Sequence, residues 1–169
     1  MSIQIIFRST LMAFEREFRQ LNEAWISKYF VLEDSDKIIL NNPQLHILDR
    51  GGNIFIALKD GKAVGCCALL VHDVFTCELA KMAVNPLAQG DGIGFELGIA
   101  LIKKARERGF KRIVLEANSK MKASIALYNK LGFIEYPISA ISNIKNLHRR
   151  CDVFMELVLQ DEILPEYFL

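Results

Sequence analysis

Hydrophobic positions follow two different periods along the chain, and the changes of period divide it into elements. A first strand is predicted from Ile3 to Ser9, in "IQIIFRS". Apolar residues then recur at steps of three and four, at Leu11, Phe14, Phe18, Leu21, Trp25 and Tyr29. This spacing is typical of an amphipathic helix. A second, short helix is predicted after the capping sequence "EDSD" at 33–36, with its end at Asn41-Asn42-Pro43.

The middle of the chain predicts three strands that run antiparallel. Two β-rich runs in "NIFIALKDGKAVGCCALLVHDV" flank Asp60-Gly61, the strongest short signal for a hairpin. A third strand, "TCELAKMAV" from Thr76 to Val84, stops at Asn85-Pro86. Sequential strands joined in this way favour a mostly antiparallel sheet.

The second half of the chain alternates helices with strands. The glycine-rich segment "QGDGIG" leads into a helix that ends near Arg108, with Gly109 as its C-terminal cap. The buried face of this helix is predicted at Ile93, Leu97, Leu101 and Ala105. The strand "RIVLEA" (112–117), the helix "KASIALYNKL" closed by Gly132, and the strand "DVFMELVL" (152–159) follow. The whole pattern predicts a single α/β domain over residues 1–169, with a mixed, mostly antiparallel central sheet flanked by helices.

Composition narrows the classes of protein. The chain has 169 residues, of which 51% are hydrophobic and 24% charged, with a net charge of +1 at pH 7. This balance argues against a nucleic-acid-binding protein, which needs a strong basic field. The longest apolar run, Ala63 to Val71, is far shorter than the roughly 20 residues of a membrane helix. The N-terminus has no signal-peptide pattern. A cytoplasmic protein without membrane or nucleic-acid partners is therefore expected.

The cysteine pattern points to thiols rather than to a metal site. The four cysteines form no C-x-x-C pair, and no histidine stands near them at zinc-ligand spacing. Cys66 and Cys67 are neighbours on a predicted strand, so their side chains point to opposite faces. We expect buried, reduced thiols, which fit the cytoplasm, and no bound metal.

The glycines of "QGDGIG" require a separate explanation. A Walker A loop is excluded, because no Lys-Ser or Lys-Thr follows them. A dinucleotide fingerprint fails in both registers, since its third glycine would fall on Phe95 or Leu97, which argues against a nicotinamide or flavin oxidoreductase. Two alternatives remain open: a pyrophosphate site on the free N–H groups of a helix start, or a plain glycine turn.

The neighbouring motifs distinguish these alternatives. From Glu78 to Phe133 the sequence resembles the GNAT family of acetyl-CoA-dependent N-acetyltransferases. "ELAKMAV" is similar to the central strand of that family, "QGDGIG" to its Q/R-x-x-G-x-G/A pyrophosphate loop, and "LEAN" followed by "ASIALYNKLGF" to its second signature. The resemblance implies the GNAT fold and transfer of an acetyl group from acetyl-CoA, as co-substrate, to a primary amine.

The resemblance also implies roles for individual residues. Tyr128 is implied as the general acid that protonates the departing thiolate, and Glu78 as the general base. Contact with acetyl-CoA is implied for the end of the central strand, for the loop and for one asparagine: Met82, Ala83, Val84, Gln89, Gly90, Asp91, Gly92, Ile93, Gly94 and Asn118. Within this set, the Met82 N–H is implied as the donor to the developing oxyanion.

Each role has a structural alternative. Tyr128 can be a core or surface tyrosine, Glu78 can pair with Lys81 or a neighbouring strand, and Asn118 can cap a turn. The whole chain can also be a non-catalytic acyl-CoA-binding domain on the same fold. The resemblance leaves the acceptor open between a small-molecule amine and a peptide amine, and it leaves a homodimer open.

Two features depart from the family pattern. Asp91 stands where a basic residue is more frequent, and a carboxylate repels a pyrophosphate. We expect it to point to solvent or to be offset by Lys103, Lys104 or Lys130. The basic run that contains Lys145, His148, Arg149 and Arg150 is either a solvated run of charges or a site for an acidic acceptor. His46, His72 and His148 match no family motif and are interpreted as structural or surface residues, with His72 also considered for the cleft.

Overall fold

The computed structural model describes residues 3–8, 13–137 and 147–159. The elements are β1 (Ile3–Arg8), α1 (Glu15–Tyr29), α2 (Asp34–Asn41), β2 (Asn53–Lys59), β3 (Lys62–Val71), β4 (Thr76–Val84), α3 (Ile93–Glu107), β5 (Arg112–Ala117), α4 (Lys122–Lys130), β6 (Ile134–Glu135) and β7 (Val153–Val158). A π-helical turn (Gln44–Leu48) and a 3₁₀ turn (Pro86–Ala88) complete them. Ser9, Leu11 and Lys145, which the sequence analysis discusses, lie outside the described residues.

The strands form one sheet in the order β1-β2-β3-β4-β5-β7-β6. All neighbours pair antiparallel except β4 and β5, which are parallel. The predicted mixed, mostly antiparallel sheet is therefore confirmed. The hairpin between β2 and β3 turns at Asp60 (φ 52°) and Gly61 (φ 75°). Two positive φ angles in succession are what a type I′ turn requires, and an Asp-Gly pair adopts them readily.

The sheet opens between its two parallel strands. β4 pairs with β5 only from Thr76 opposite Arg112 to Glu78 opposite Val114. The remainder of β4 continues to Val84 without a partner in β5, and residues from both strands line the same cleft. Peptide groups on this side of β4 are therefore available to a ligand.

A bulge interrupts β4 beside this opening. Cys66 pairs with Ala83 and Ala68 pairs with Ala80, so Cys67 stands opposite two residues, Lys81 and Met82. Lys81 has a φ of 53°, in the left-handed region that non-glycine residues seldom adopt. Such an extra residue bends its strand and redirects the side chains that follow.

Two hydrophobic layers cover the sheet, one on each face. One core joins the sheet to α3 and α4 and contains Leu97, Leu101 and Phe133. The other joins it to α1 and α2 and contains Phe18 and Leu40. Cys66 belongs to the second core and its neighbour Cys67 to the first, as the alternation of a strand predicts. All four cysteines are free, and Cys66, Cys67 and Cys77 are buried.

Most element positions agree with the sequence prediction. β4 and β5 fall at the predicted residues, and the predicted face of α3 is buried at Ile93, Leu97, Leu101 and Ala105. The π-helical turn and β6 were not predicted. Within the described parts of the chain, every helix is too short or too polar to cross a membrane.

Candidate active site

A cleft of about 540 Å³ lies where β4 parts from β5. On the α3–α4 side its wall contains Asn118, Tyr128 and five residues of the glycine-rich loop: Gln89, Gly90, Gly92, Ile93 and Gly94. On the α1–α2 side its wall contains the aromatic residues Trp25, Tyr29 and Phe30 and the charged residues Glu78, Lys81, Glu116, His148 and Arg150. Of the residues predicted to act together, Tyr128, Glu78, Met82, Ala83, Val84 and Asn118 line this one cleft with the loop, whereas Asp91 does not.

The first two glycines of the loop have conformations that favour glycine. Gly90 has a φ of 91° and Gly92 a φ of 78°, and a Cβ at either position would have open space around it. Gly92 is the N-cap of α3, and the first helical hydrogen bond runs from the Glu96 N–H to the Gly92 carbonyl. The N–H groups of the turn between them have no acceptor within the helix, and the helix dipole is positive there. This geometry fits a pyrophosphate.

Gly94, the third glycine of the loop, is required for packing rather than for its backbone conformation. A Cβ on Gly94 would lie 3.0 Å from Cδ2 of Leu127 in α4. Gly94 therefore permits α3 to pack closely on the helix that carries Tyr128. All three glycines were predicted to contact the ligand, and for Gly94 the structure adds a packing role.

The Asp91 side chain is 41% exposed, as one of the two expectations had it, and its carboxylate pairs with a lysine that the sequence did not indicate. Its Oδ2 lies 2.5 Å from Nζ of Lys59, at the end of β2. This hydrogen bond raises the pKa of Lys59. Lys104 instead pairs with Glu107, and Lys130 lies over the ring of Phe95. Lys59 is distant in sequence and no motif marks it, so only the fold brings it to the loop.

Tyr128 lies in α4 and forms part of the cleft wall, with 8% of its surface exposed. Its ring contacts Phe133 edge to face, with 6.2 Å between centroids. Burial raises the pKa of its hydroxyl well above the ordinary value, so the hydroxyl is protonated at neutral pH. A protonated phenol at the cleft can act as a proton donor.

Glu78 is paired, but not with Lys81. Its Oε2 lies 2.7 Å from Nε2 of His72, which follows β3. This hydrogen bond raises the pKa of His72 against the opposing effect of burial. Glu78 lines the cleft and His72 stands behind it. The partner thus comes from the end of the neighbouring strand, one of the two alternatives for Glu78, although no sequence signal identified His72.

Asn118 has the turn-capping role that the sequence left open. Its Oδ1 accepts a hydrogen bond from the Lys120 N–H at 2.9 Å, and its Nδ2 donates to the carbonyl of Arg150. Asn118 also lines the cleft. It therefore joins the end of β5 to the segment that precedes β7.

A buried cluster of charges, which the sequence analysis did not predict, forms part of the α1–α2 wall. Asp36 is 0% exposed and receives hydrogen bonds from Nζ of Lys81 at 2.7 Å and from both terminal nitrogens of Arg150 at 2.6 and 2.9 Å. These bonds and the nearby His148 hold the pKa of Asp36 well below its ordinary range, although burial opposes them. Arg150 is therefore not part of a solvated run of charges, because its guanidinium pairs with Asp36 at the cleft wall. Arg149 is exposed, and its N–H donates to Glu33.

The ligand atoms of Glu116, His148 and Cys151 lie within 4.8 Å of one another. His148 Nδ1 is 2.7 Å from Glu116 and Nε2 is 3.2 Å from Asp36, and these two carboxylates outweigh burial and raise the pKa of His148 to about 9. Burial raises the pKa of the Cys151 thiol to about 12. Two of the three groups are thus protonated at neutral pH, and metal ligands must be deprotonated. The chemistry of the set favours an ion pair over a cation site.

Comparison with known proteins agrees with this geometry. A family model described as "Acetyltransferase (GNAT) family" matches residues 10–133. The chain therefore belongs to the GNAT family of acetyltransferases. It is similar to the uncharacterized N-acetyltransferase YjgM of Escherichia coli (strain K12), with 40% identity over 70 residues, which cover 40% of this chain and 42% of YjgM. The chain thus matches less than half the length of that relative.

Solved structures share the whole fold. An acetyltransferase of the GNAT family from Staphylococcus aureus Mu50 superimposes with a TM-score of 0.85 at 20% identity, over 94% of this chain and 100% of the other. A structure of yncA from Salmonella typhimurium, described as a putative acetyltransferase with its cofactor acetyl-CoA, gives a TM-score of 0.64 at 24% identity, over 97% and 99% of the two chains. These matches confirm the predicted GNAT fold.

Proposed function

We propose that the chain is an N-acetyltransferase that transfers the acetyl group of acetyl-CoA to a primary amine. The observation that carries the proposal is the convergence of three features on one cleft. These are the free helix start after Gly92, the protonated hydroxyl of Tyr128, and the Glu78 carboxylate. Membership of the GNAT family and the acetyl-CoA bound to the Salmonella relative support it.

Acetyl-CoA would be held mainly by backbone groups. The pyrophosphate would accept hydrogen bonds from the N–H groups at the start of α3, where Gly90 and Gly92 leave open space. The pantetheine arm carries amides that would pair with the free side of β4 at Met82 and Val84, a form of strand addition. The cleft passes between β4 and β5 at this point, which gives the arm access to both sides of the sheet.

The chemical step forms a C–N bond and breaks a C–S bond. As the neutral amine attacks, the thioester oxygen gains negative charge, which the Met82 N–H would stabilise; one such donor is worth roughly 2.7–4 kcal/mol. The tetrahedral intermediate then expels the CoA thiolate, which would take the proton of Tyr128. The attacking nitrogen, which is cationic once the C–N bond has formed, gives up a proton that restores the phenol of Tyr128, so a neutral amine and a thioester become an amide and a thiol.

The amine must lose its proton before it attacks. An alkylammonium has a pKa of about 10.4, so at neutral pH a base is required. Glu78 would accept this proton, and the 2.7 Å contact offers His72 as its next partner toward solvent.

The aromatic side chains of Trp25, Tyr29 and Phe30 would contact the body of the acceptor, a small molecule or a peptide. The four free cysteines fit a reducing compartment, the cytoplasm. A homodimer stays a prediction.

A screen of acetyl-CoA against classes of amine, read by release of free thiol, tests the proposal. We expect turnover with at least one class of amine, and a fall in kcat of roughly 10²–10⁴-fold in Tyr128→Phe, the range for a general acid. Acetyl-CoA affinity, measured by calorimetry, should be unchanged in this variant. Tyr136→Phe is the matched control, because Tyr136 is half-buried but is not part of the cleft wall.

Two results would count against the proposal in different ways. Acetyl-CoA binding without thiol release from any amine would favour a non-catalytic acyl-CoA-binding domain. Equal kcat in Tyr128→Phe and the wild-type protein would keep the transferase and remove Tyr128 as the acid.

A further inference from the structure

The Asp36 carboxylate connects the two strands that bound the cleft. On one side it holds Nζ of Lys81, which belongs to the β4 bulge. On the other side it holds the guanidinium of Arg150, whose carbonyl accepts the Asn118 amide at the end of β5. A continuous path of hydrogen bonds therefore crosses from β4 to β5 on the α1–α2 face, where the strands themselves have ceased to pair. We call this path the Asp36 bridge.

Asp36 is itself fixed in place. Its Oδ2 accepts the Glu33 N–H at 3.0 Å, which forms part of the capping box of α2. The Glu33 carboxylate in turn accepts the N–H groups of Arg149 and Arg150. The start of α2 thus holds the segment before β7 through both backbone and side-chain bonds, and it presents one fully buried carboxylate to Lys81.

The backbone of Lys81 explains what this attachment does. Asp60 and Lys81 are the non-glycine residues with positive φ in the described part of the chain, and Asp60 lies in the hairpin turn. Lys81 has no turn to explain its φ of 53°, and an L-residue relaxes from the left-handed region unless the surroundings hold it. Its carbonyl accepts the Cys66 thiol at 3.6 Å, and its side chain is 4% exposed and ends on Asp36, so the ion pair adds to the restraint from the strand pairing.

We propose that Asp36 is a positioning residue, which acts through Lys81 and Arg150 to hold the β4 bulge and the separation of β4 from β5. The bulge contains Met82, and the free side of β4 follows it. The Asp36 bridge would therefore determine the position of the β4 peptide groups that bind the thioester. The catalytic part of this inference rests on the proposed function, whereas the effect on acetyl-CoA affinity does not require turnover.

Two substitutions of Lys81 test the bridge. Lys81→Met keeps the aliphatic stem and removes the ammonium, so the backbone loses the restraint of the ion pair while Asp36 still pairs with Arg150. We expect weaker acetyl-CoA binding and a loss of kcat of roughly a hundredfold, as for a displacement of about 1 Å. Lys81→Gly removes the side chain but tolerates a positive φ. We expect it to retain tighter binding and a higher kcat than Lys81→Met.

Asp34→Asn is the matched control, because Asp34 lies on the same helix with a side chain that is 95% exposed. We expect wild-type affinity and kcat from this variant. The bridge is overturned if Lys81→Met keeps wild-type affinity and kcat, or if Lys81→Gly is no better than Lys81→Met. Loss of the folded state in both variants also overturns it, since the ion pair would then serve stability alone.

The same measurements separate this inference from the proposed function. If the wild-type protein acetylates no amine, the proposed function fails, and calorimetry with acetyl-CoA still ranks the two Lys81 variants. If the wild-type protein is active and the Lys81 variants have the same acetyl-CoA affinity and kcat, only the inference about the Asp36 bridge is contradicted.

Discussion

Nε2 of His72 lies 2.7 Å from Oε2 of Glu78, so the carboxylate proposed as the general base is bound to an imidazole that is not part of the cleft wall. The two residues come from the end of β3 and the start of β4, and the short turn between them is closed by Asp73, which accepts the N–H groups of Phe75 and Thr76. The turn therefore fixes the imidazole relative to the carboxylate.

Glu78→Gln should lower kcat by roughly 10²–10⁴-fold, the usual contribution of a general base. Acetyl-CoA affinity should not change, because the carboxylate is proposed to contact the amine. A pH–rate profile measures the effect: Glu78→Gln should approach the wild-type rate only at high pH, where the amine is already neutral. A profile of unchanged shape would remove Glu78 as the base.

The variant His72→Gln tests whether His72 only orients the Glu78 carboxylate or also accepts its proton. Glutamine can still donate a hydrogen bond to Glu78 but does not titrate near neutral pH. We expect kcat to fall less than in Glu78→Gln, with a change in the shape of the pH–rate profile. A wild-type profile in His72→Gln would show that His72 only orients the carboxylate.

Asp91→Asn should tighten acetyl-CoA binding. The substitution removes a negative charge from the loop and releases the Lys59 ammonium toward the phosphates. We expect a three- to tenfold lower Kd at low ionic strength, which corresponds to roughly 1 kcal/mol, and a smaller change in 1 M salt, where the Debye length is about 3 Å. Glu107→Gln, with the same change of charge at the far end of α3, is the control. Weaker binding by Asp91→Asn would contradict the placement of the phosphates at this loop.

The sequence predicted those features that are local. The bounds of β4 and β5 agree with prediction because β4 stops at Asn85-Pro86 and β5 is centred on a short apolar run, and the face of α3 follows from a period of 3.6. The position of the loop between β4 and α3 was predictable for the same reason.

The contacts that complete the site depend on the tertiary fold. Lys81 and Asp36 are 45 residues apart in sequence, and Arg150 and Asp36 are 114 apart. No periodicity relates such positions, and a lysine in a buried strand indicates that some partner exists without identifying it. In the same way "EDSD" predicted the cap of α2, but not that Asp36 would also receive two buried cations.

Gly52→Ala should destabilise the fold more than an alanine substitution at a glycine whose added Cβ would meet no neighbouring atom. A Cβ on Gly52 would lie 2.5 Å from the carbonyl oxygen of Leu69 and 2.7 Å from that of Ile47, and backbone atoms cannot rotate away as a side chain can. We expect urea unfolding to show a loss of roughly 3 kcal/mol, at the upper end for overpacking. Gly61→Ala, which meets only a positive φ of 75° in open space, should lose about 1 kcal/mol. Equal losses would contradict the tight contact at Gly52.

The stability of the folded chain should decline between pH 6.5 and 9.5 because of His148. Asp36 and Glu116 face its ring and raise its pKa to about 9, while Lys81 opposes them. A histidine whose pKa is raised on folding stabilises fully below its unfolded pKa of about 6.5, and this contribution is lost as the pH rises through about 9. The difference in unfolding free energy between the wild-type protein and His148→Gln should therefore shrink across this range, by at most on the order of 3 kcal/mol. Glu116→Gln removes one of the two carboxylates and should move the decline to lower pH. A difference that stays constant or grows toward pH 9.5 would show that His148 is neutral in the cluster.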